Sequence, residues 1–465
     1  MFVDVHAEER RDKQGVAQTA DGEQLRYALQ YAKKNQKPQA HAGFLLGLFL
    51  PLCQRQSLVW QGRHGQIMAI SWQGDVMERV SERTGRNPGI DLLRGLSILL
   101  VVLHHIGLRI PLHRGVLASF VPIPILNAFN YNGYESVFAF FVISGFLITS
   151  NTLQRWNNLN RMDAGAFYAR RFARIAPCLL ALLIVLSALH LLGVQDYVIH
   201  RAGQTLPRAL LAALGLHLNW YEGHYGYLPG NWDVLWSLSI EEVFYLGFPI
   251  ACLLIRRTWV LAVFLVAFAL SLPWTHAALA NNEIWQEKAY LPGMAAIATG
   301  VLGALIAARW TSHRRGVIRA LIALGSLGLA AIYLVEPWLW PLLHDGCLLL
   351  LTTSVMCALI GMQWRQAAGE WHAWRALDWL RSFGRLSYEI YLSHMFVVTA
   401  VVRLFHLAGA DMTWGVLWYL PAVPMCWLLG AAVARWISVP CEQWLRVRLS
   451  RKALKSAQTV PAQSV

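Results

Sequence analysis

Charge is scarce in this sequence, and acidic charge scarcer. Asp, Glu, Lys and Arg make up 14% of the 465 residues, with 26 acidic against 40 basic side chains. With 56% hydrophobic residues and a mean hydropathy of +0.40, the composition excludes an ordinary soluble domain and points to a polytopic membrane protein. The seven cysteines are scattered and no C-x-x-C pair occurs, so neither a zinc site nor a disulfide scaffold is expected, and no metal is assigned. No inverted repeat and no pair of interrupted apolar segments relates the two halves, which weighs against a transporter. The net charge of +14 would suit a nucleic-acid binder. The basic residues, however, lie in short loops between apolar runs, as the positive-inside rule requires, so the expected partner is a lipid bilayer and not nucleic acid.

What the chain does have is a series of long apolar runs, and these begin late. Residues 1–76 are polar and of mixed charge, with one apolar run, Ala42 to Cys53, that is too short to span a bilayer. Met68 and Met77 are alternative starts, and the residues leave the status of this extension open. From residue 77 to 440 apolar runs alternate with basic loops, and 441–465 reads as a basic tail. Spans are expected near 91–111, 132–151, 174–194, 234–255, 258–276, 289–308, 317–336, 343–363, 386–408 and 415–437. Each approaches the roughly 20 residues a bilayer needs. The short run Leu206 to Trp220 is decided by charge. If it does not cross, Arg155, Arg161, Arg309, Arg314, Arg315 and Arg365 share one side with many other basic residues. The opposite side keeps only Arg109, Arg114, Arg201, Arg208 and Lys288. The expected fold is therefore an all-α membrane bundle of about ten transmembrane helices. Both termini are cytoplasmic, and 206–220 is re-entrant or at the outer surface.

Several polar residues fall inside these spans, where charge marks function more often than packing. The first span, GIDLLRGLSILLVVLHHIGLRIP, carries Asp91, Arg94, His104 and His105. Arg94 and His105 lie within roughly 20° on one helix face, about 16 Å apart along the axis. The span at 234–255 holds WSLSIEEVFYLGFP, with Ser237, Glu241 and Tyr245 on one stripe. Counted from its outer end, Glu241 and Glu242 fall near the depth of His105. The expectation is a general base, His105, whose ring one of the two carboxylates orients. The span at 386–408 puts Ser387, Tyr391 and His394 on one face, with His394 expected in the inner half, nearer Arg94. FYARRFARIAP is expected as a loop with Arg170, Arg171 and Arg174 at the mouth of the third span, where arginine forks could meet phosphate. In FFVISGFLI, Ser144 and Gly145 suit close helix packing. Ser144, Ser237 and Ser239 are candidate nucleophiles should an acyl-enzyme form.

Taken in order, these motifs resemble the acyltransferase 3 family of integral membrane acyltransferases. The resemblance runs from residue 89 to 395 in motifs and to about 440 in hydrophobic pattern. One departure is Met395, which follows His394 where the family pattern has an aromatic residue and then proline. The resemblance implies an enzyme of the cell inner membrane. Its members move an acyl group, often acetyl, from a cytoplasmic acyl-CoA donor, with no bound cofactor, to a hydroxyl of a carbohydrate or lipid-linked glycan. It implies that Arg94 and His105 are the catalytic pair, to which the spacing argument adds Glu241 and Glu242. It also implies that Arg170, Arg171 and Arg174 are on the donor side, where Tyr391 and His394 are placed as well. The rival expectation is a glycan exporter that uses the intramembrane Arg, His and Glu as a proton relay.

Overall fold

The computed structural model describes residues 86–370 and 375–458, so the expected extension at 1–76 lies outside the described residues. These form helices and no strands. In chain order the α-helices are α1 Pro88–Gly107, α2 Ile123–Tyr131, α3 Gly133–Trp156, α4 Ala164–Leu191, α5 Leu206–Leu214 and α6 Leu218–Tyr225. They continue with α7 Gly230–Asp233, α8 Leu235–Leu254, α9 Thr258–Leu270, α10 Leu272–Ala277, α11 Glu283–Lys288 and α12 Tyr290–Arg309. The last six are α13 Arg315–Leu343, α14 Gly346–Ala367, α15 Asp378–Arg385, α16 Ser387–Leu407, α17 Tyr419–Val433 and α18 Val439–Gln458. Among the described residues, nine helical segments are long and apolar enough to cross a bilayer, so the chain is a multi-pass membrane helical bundle.

A tenth crossing follows from where α9 and α10 end. The Asn160 side chain, just past α3, donates to the Arg256 carbonyl at 3.1 Å, which places the start of α9 with the C-terminal end of α3. His276 in α10 meets Asp345, just before α14, at 2.6 Å and faces the Tyr134 ring at the start of α3. The two ends therefore lie on opposite faces. The span expected at 258–276 is broken at Ser271, because Pro273 sits in the first turn of α10 and supplies no N–H to continue the ladder. Gln204, before α5, donates to the Tyr225 and Gly226 carbonyls at the end of α6, and Gly230 lies against Arg109 just past α1, so both ends of 206–225 stay on the face where α1 ends. That face is called the outer face below, and its opposite, which carries the basic loops, the basic face.

Local chemistry sets the helix ends. Asn87 caps α1, its side chain accepting from Gly89 and Ile90, with Pro88 in the first turn. The helix stops at Gly107, short of the expected 111, because the next residues are captured elsewhere. The Asn130 side chain accepts from the Leu112 amide at 2.7 Å and donates to the Tyr419 hydroxyl, which donates in turn to the Ile110 carbonyl at 2.6 Å. Asp163 caps α4, which starts at Ala164, ten residues before the expected start of the third span, so FYARRFARIAP is helix and not loop. At the other end of the chain, the described part of the expected tail, 441–458, is helical. The π-helical turn Ala434–Ser438 carries α17 into α18 and absorbs the N–H that Pro440 lacks. Gly145 does what the sequence suggested: a side chain there would strike the Ile297 carbonyl, so α3 and α12 pack backbone to backbone.

One outer contact is a buried ion cluster. Lys288, 2% exposed, donates to Glu222, 0% exposed, at 2.8 Å and also to Asp233. The second oxygen of Glu222 accepts from the Leu228 amide. The cluster ties the outer segment 218–228 to the starts of two spans. Removing one partner of such a group costs about 3–5 kcal/mol. Lys288→Met is therefore expected to lower the thermal midpoint in detergent markedly, and an unchanged midpoint would show that the cluster holds nothing together.

Candidate active site

The expected site residues lie along one polar line through the bundle. At the outer end, His105 in the last turn of α1 holds its Nδ1 at 2.8 Å from the Val101 carbonyl. A carbonyl accepts only from an N–H, so in the neutral ring Nδ1 carries the proton and Nε2 presents the lone pair. The Arg109 guanidinium donates to the His105 carbonyl at 3.0 Å. The His394 ring stands against His105, with centroids 5.0 Å apart in an edge-to-face arrangement. His394 is fully buried and held the same way, its Nδ1 on the Ile390 and Tyr391 carbonyls at 3.1 and 2.8 Å. Its Nε2 is buried with no hydrogen-bond partner among the described residues. Two imidazoles therefore share one level of the bundle, each with Nδ1 on a helix carbonyl.

Below them, Ser237 donates to the Tyr391 hydroxyl at 2.7 Å. One turn further, Glu241 accepts from the Tyr245 hydroxyl at 3.2 Å, and Tyr245 also meets Ser144. The Arg171 guanidinium lies over the Tyr245 ring, 4.4 Å from its centre, and the charges of Arg171 and Arg94 both reach Glu241. Arg94 grips Ser387 through Nε at 3.2 Å and Nη2 at 2.7 Å. Arg170 lies over Trp156 at 4.8 Å, and its Nη2 is buried without a partner among the described residues. Glu242 keeps one such buried oxygen as well.

This arrangement corrects three expectations. Glu241 meets Tyr245 and not His105, whose ring is held by the Val101 carbonyl and faced by the His394 ring. The depth estimate failed because the helix ends are not where hydropathy put them. His105 is two residues, about 3 Å, from the end of α1, while Glu241 is eleven residues, about 16 Å, from the start of its span at Gly230. His394 lies level with His105 and not with Arg94, because α16 already starts at the level of Arg94, which donates to Ser387, and His394 is two turns further on. Third, Arg174, expected at a phosphate, is held by carboxylates. It pairs with Glu389 at 3.2 Å and Glu442 at 3.3 Å, and Ser438 bridges to Glu389 at 2.7 Å. Those partners come from α16 and α18, so Arg174 joins three helices. On a helix Arg171 is about 100° from Arg170 and about 60° from Arg174, which sends it to α8. The Lys288 cluster was missed. The signal that could have found it is that Lys288 is the one lysine among the few basic residues assigned to the outer face.

Comparison with known proteins identifies relatives and a family. Two O-acetyltransferases named OatA, from Staphylococcus aureus strains NCTC 8325 / PS 47 and COL, are each 28% identical over 174 residues, covering 35% of this chain and 24% of theirs. A relative from strain Mu50 / ATCC 700699, whose name also contains "O-acetyltransferase", is 29% identical over 171 residues with the same coverage. The match thus spans about a quarter of those relatives' length. No solved structure matches the chain significantly. The family description "acyltransferase domain" fits residues 87–437, three quarters of the chain and all of the polar line, and the chain belongs to the acyltransferase 3 family.

Proposed function

We propose that the chain is a membrane O-acyltransferase that moves an acyl group, acetyl first among candidates, from acyl-CoA on the cytoplasmic side to a hydroxyl of a carbohydrate or lipid-linked glycan. The charge bias supports reading the basic face as cytoplasmic, in a cell inner membrane. The names of the relatives support acetyl transfer. The observation that carries the reading is the His105 ring, fixed by the Val101 carbonyl with Nε2 as its free base position.

In this reading the acceptor hydroxyl gives its proton to His105 Nε2 as its oxygen attacks the thioester carbonyl. The tetrahedral intermediate collapses, the carbon–sulfur bond breaks, and the thiolate of CoA takes the proton back from the imidazolium. His394 stands beside the ring through both steps and acts as a positioning residue. Arg171 and Arg170 meet donor phosphates at the basic face, and Arg94 braces α1 against α16 below the reaction level. His394→Ala is expected to lower kcat about tenfold or more and leave the KM for acyl-CoA near its original value. An equal rise in KM would return His394 to the donor site.

Mass spectrometry of surface glycans from cells with the gene, without it, and with His105→Ala tests the function. Loss of acyl mass in the last two is the expected result. Unaltered glycans sink the proposal, and unaltered modification with glycan accumulating inside the cell would identify an exporter instead.

A further inference from the structure

A cavity of about 540 Å³ opens at the basic face between the first turns of α13 and the last turn of α14. It is apart from the polar line, whose cationic end is on α4. Arg315, Arg319 and Arg365 line it, with the Glu370 carboxylate accepting from Arg315 Nε at 2.5 Å. Ile318, buried, and Ile322, half-buried, supply an apolar part of the lining. Three guanidinium groups and one carboxylate around a cavity favour an anion, and guanidinium forks match the oxygens of a phosphate group.

Its position narrows the anion further. Protein covers 22% of the apolar window of α13, against 67% for α1, so most of α13 faces the bilayer. On the stripe that continues from Arg319 in four-residue steps, Ala323 is exposed and Leu327 is 69% exposed. Trp310, in the link that enters α13, is exposed as well, and tryptophan marks the headgroup level of a membrane. A ligand here has its charged end among arginines and an apolar surface leading into hydrocarbon.

We infer that this groove binds the headgroup of an anionic phospholipid of the cytoplasmic leaflet. The phosphate engages Arg315, Arg319 and Arg365, and the acyl chains run along Ile322 and the exposed face of α13. A free phosphate would use the arginines alone and gain nothing from the apolar lining.

The experiment is native mass spectrometry of the detergent-purified full chain, titrated with phosphatidylglycerol, with phosphatidylcholine, and with phosphatidylglycerol plus millimolar inorganic phosphate. Phosphatidylglycerol is expected to be retained at least fivefold better than phosphatidylcholine, and inorganic phosphate is expected not to displace it. Each basic residue near a membrane surface is worth about fivefold in binding an anionic lipid. Arg319→Gln should therefore lower the preference about fivefold, and Arg315→Gln with Arg319→Gln should abolish it. Arg319→Lys, which keeps the charge, should retain most of it. Equal retention of the two lipids overturns the inference, and so does an unchanged preference in the double variant. Full displacement by inorganic phosphate would overturn it in favour of a soluble-anion site. The competition on the unmodified chain decides the matter even if a variant fails to fold. No arm depends on acyl transfer.

Discussion

Replacing His105 with alanine is expected to lower the rate of acyl transfer by about 10²- to 10⁴-fold, the range a general base contributes. The measurement is release of CoA thiol by the purified protein with donor and acceptor present. The variant should extract from membranes at normal levels with a near-normal thermal midpoint, because among the described residues the His105 side chain makes one hydrogen bond, to its own helix at Val101. His105→Gln should not rescue, since an amide cannot take a proton at neutral pH. His104 is the internal control. Its Nδ1 meets the Asn130 carbonyl at 2.9 Å, beside the Asn130 side chain that pins Leu112 and Tyr419. His104→Ala should therefore cost stability at the outer end of α1 and spare most of the chemistry. Full activity in His105→Ala sinks the assignment, and loss of activity confined to His104→Ala would exchange the two roles.

The face of α16 was legible from spacing alone. Ser387, Tyr391 and His394 share one stripe, and the structure puts Ser387 on Arg94, Tyr391 on Ser237, and His394 beside His105. Helix period is a local property, so sequence reports it well. The spans were legible for the same reason, since hydropathy is summed over neighbours. Depth was not, because depth needs helix ends, and the end of α1 is set by Asn130 and by Tyr419, 289 residues from Asn130. The same limit hid the role of Arg174. Its arginine-rich neighbourhood is what a phosphate site looks like in sequence, and its carboxylates lie far along the chain at Glu389 and Glu442. Polar residues inside a bundle are legible as important, and their partners are legible only when they sit within a turn or two.

That distinction gives the second large effect, which separates two arginines three residues apart. Arg174→Gln removes the partner of Glu389, a carboxylate 2% exposed, and unlinks α4 from α16 and α18. Breaking such a pair costs several kcal/mol, and because Arg174 is itself partly exposed, the expected loss is at the low end, about 3 kcal/mol. The thermal midpoint should fall while the protein that remains folded keeps its KM for acyl-CoA. Arg171→Gln should do the reverse. Arg171 lies over Tyr245 and meets no carboxylate of the described residues closely enough to form an ion pair, so the fold loses little. If it holds a donor phosphate, losing that charged hydrogen bond costs about 1.5–3 kcal/mol of binding, a KM raised roughly ten- to a hundredfold. Glu389→Gln should follow Arg174→Gln in stability, because each leaves the other without its charge partner, and the double variant should be less destabilised than the sum of the two. Measured side by side, midpoint and KM assign each arginine to structure or to substrate. A raised KM with an unchanged midpoint in Arg174→Gln would restore it to the donor site, and the three-helix junction would then be incidental.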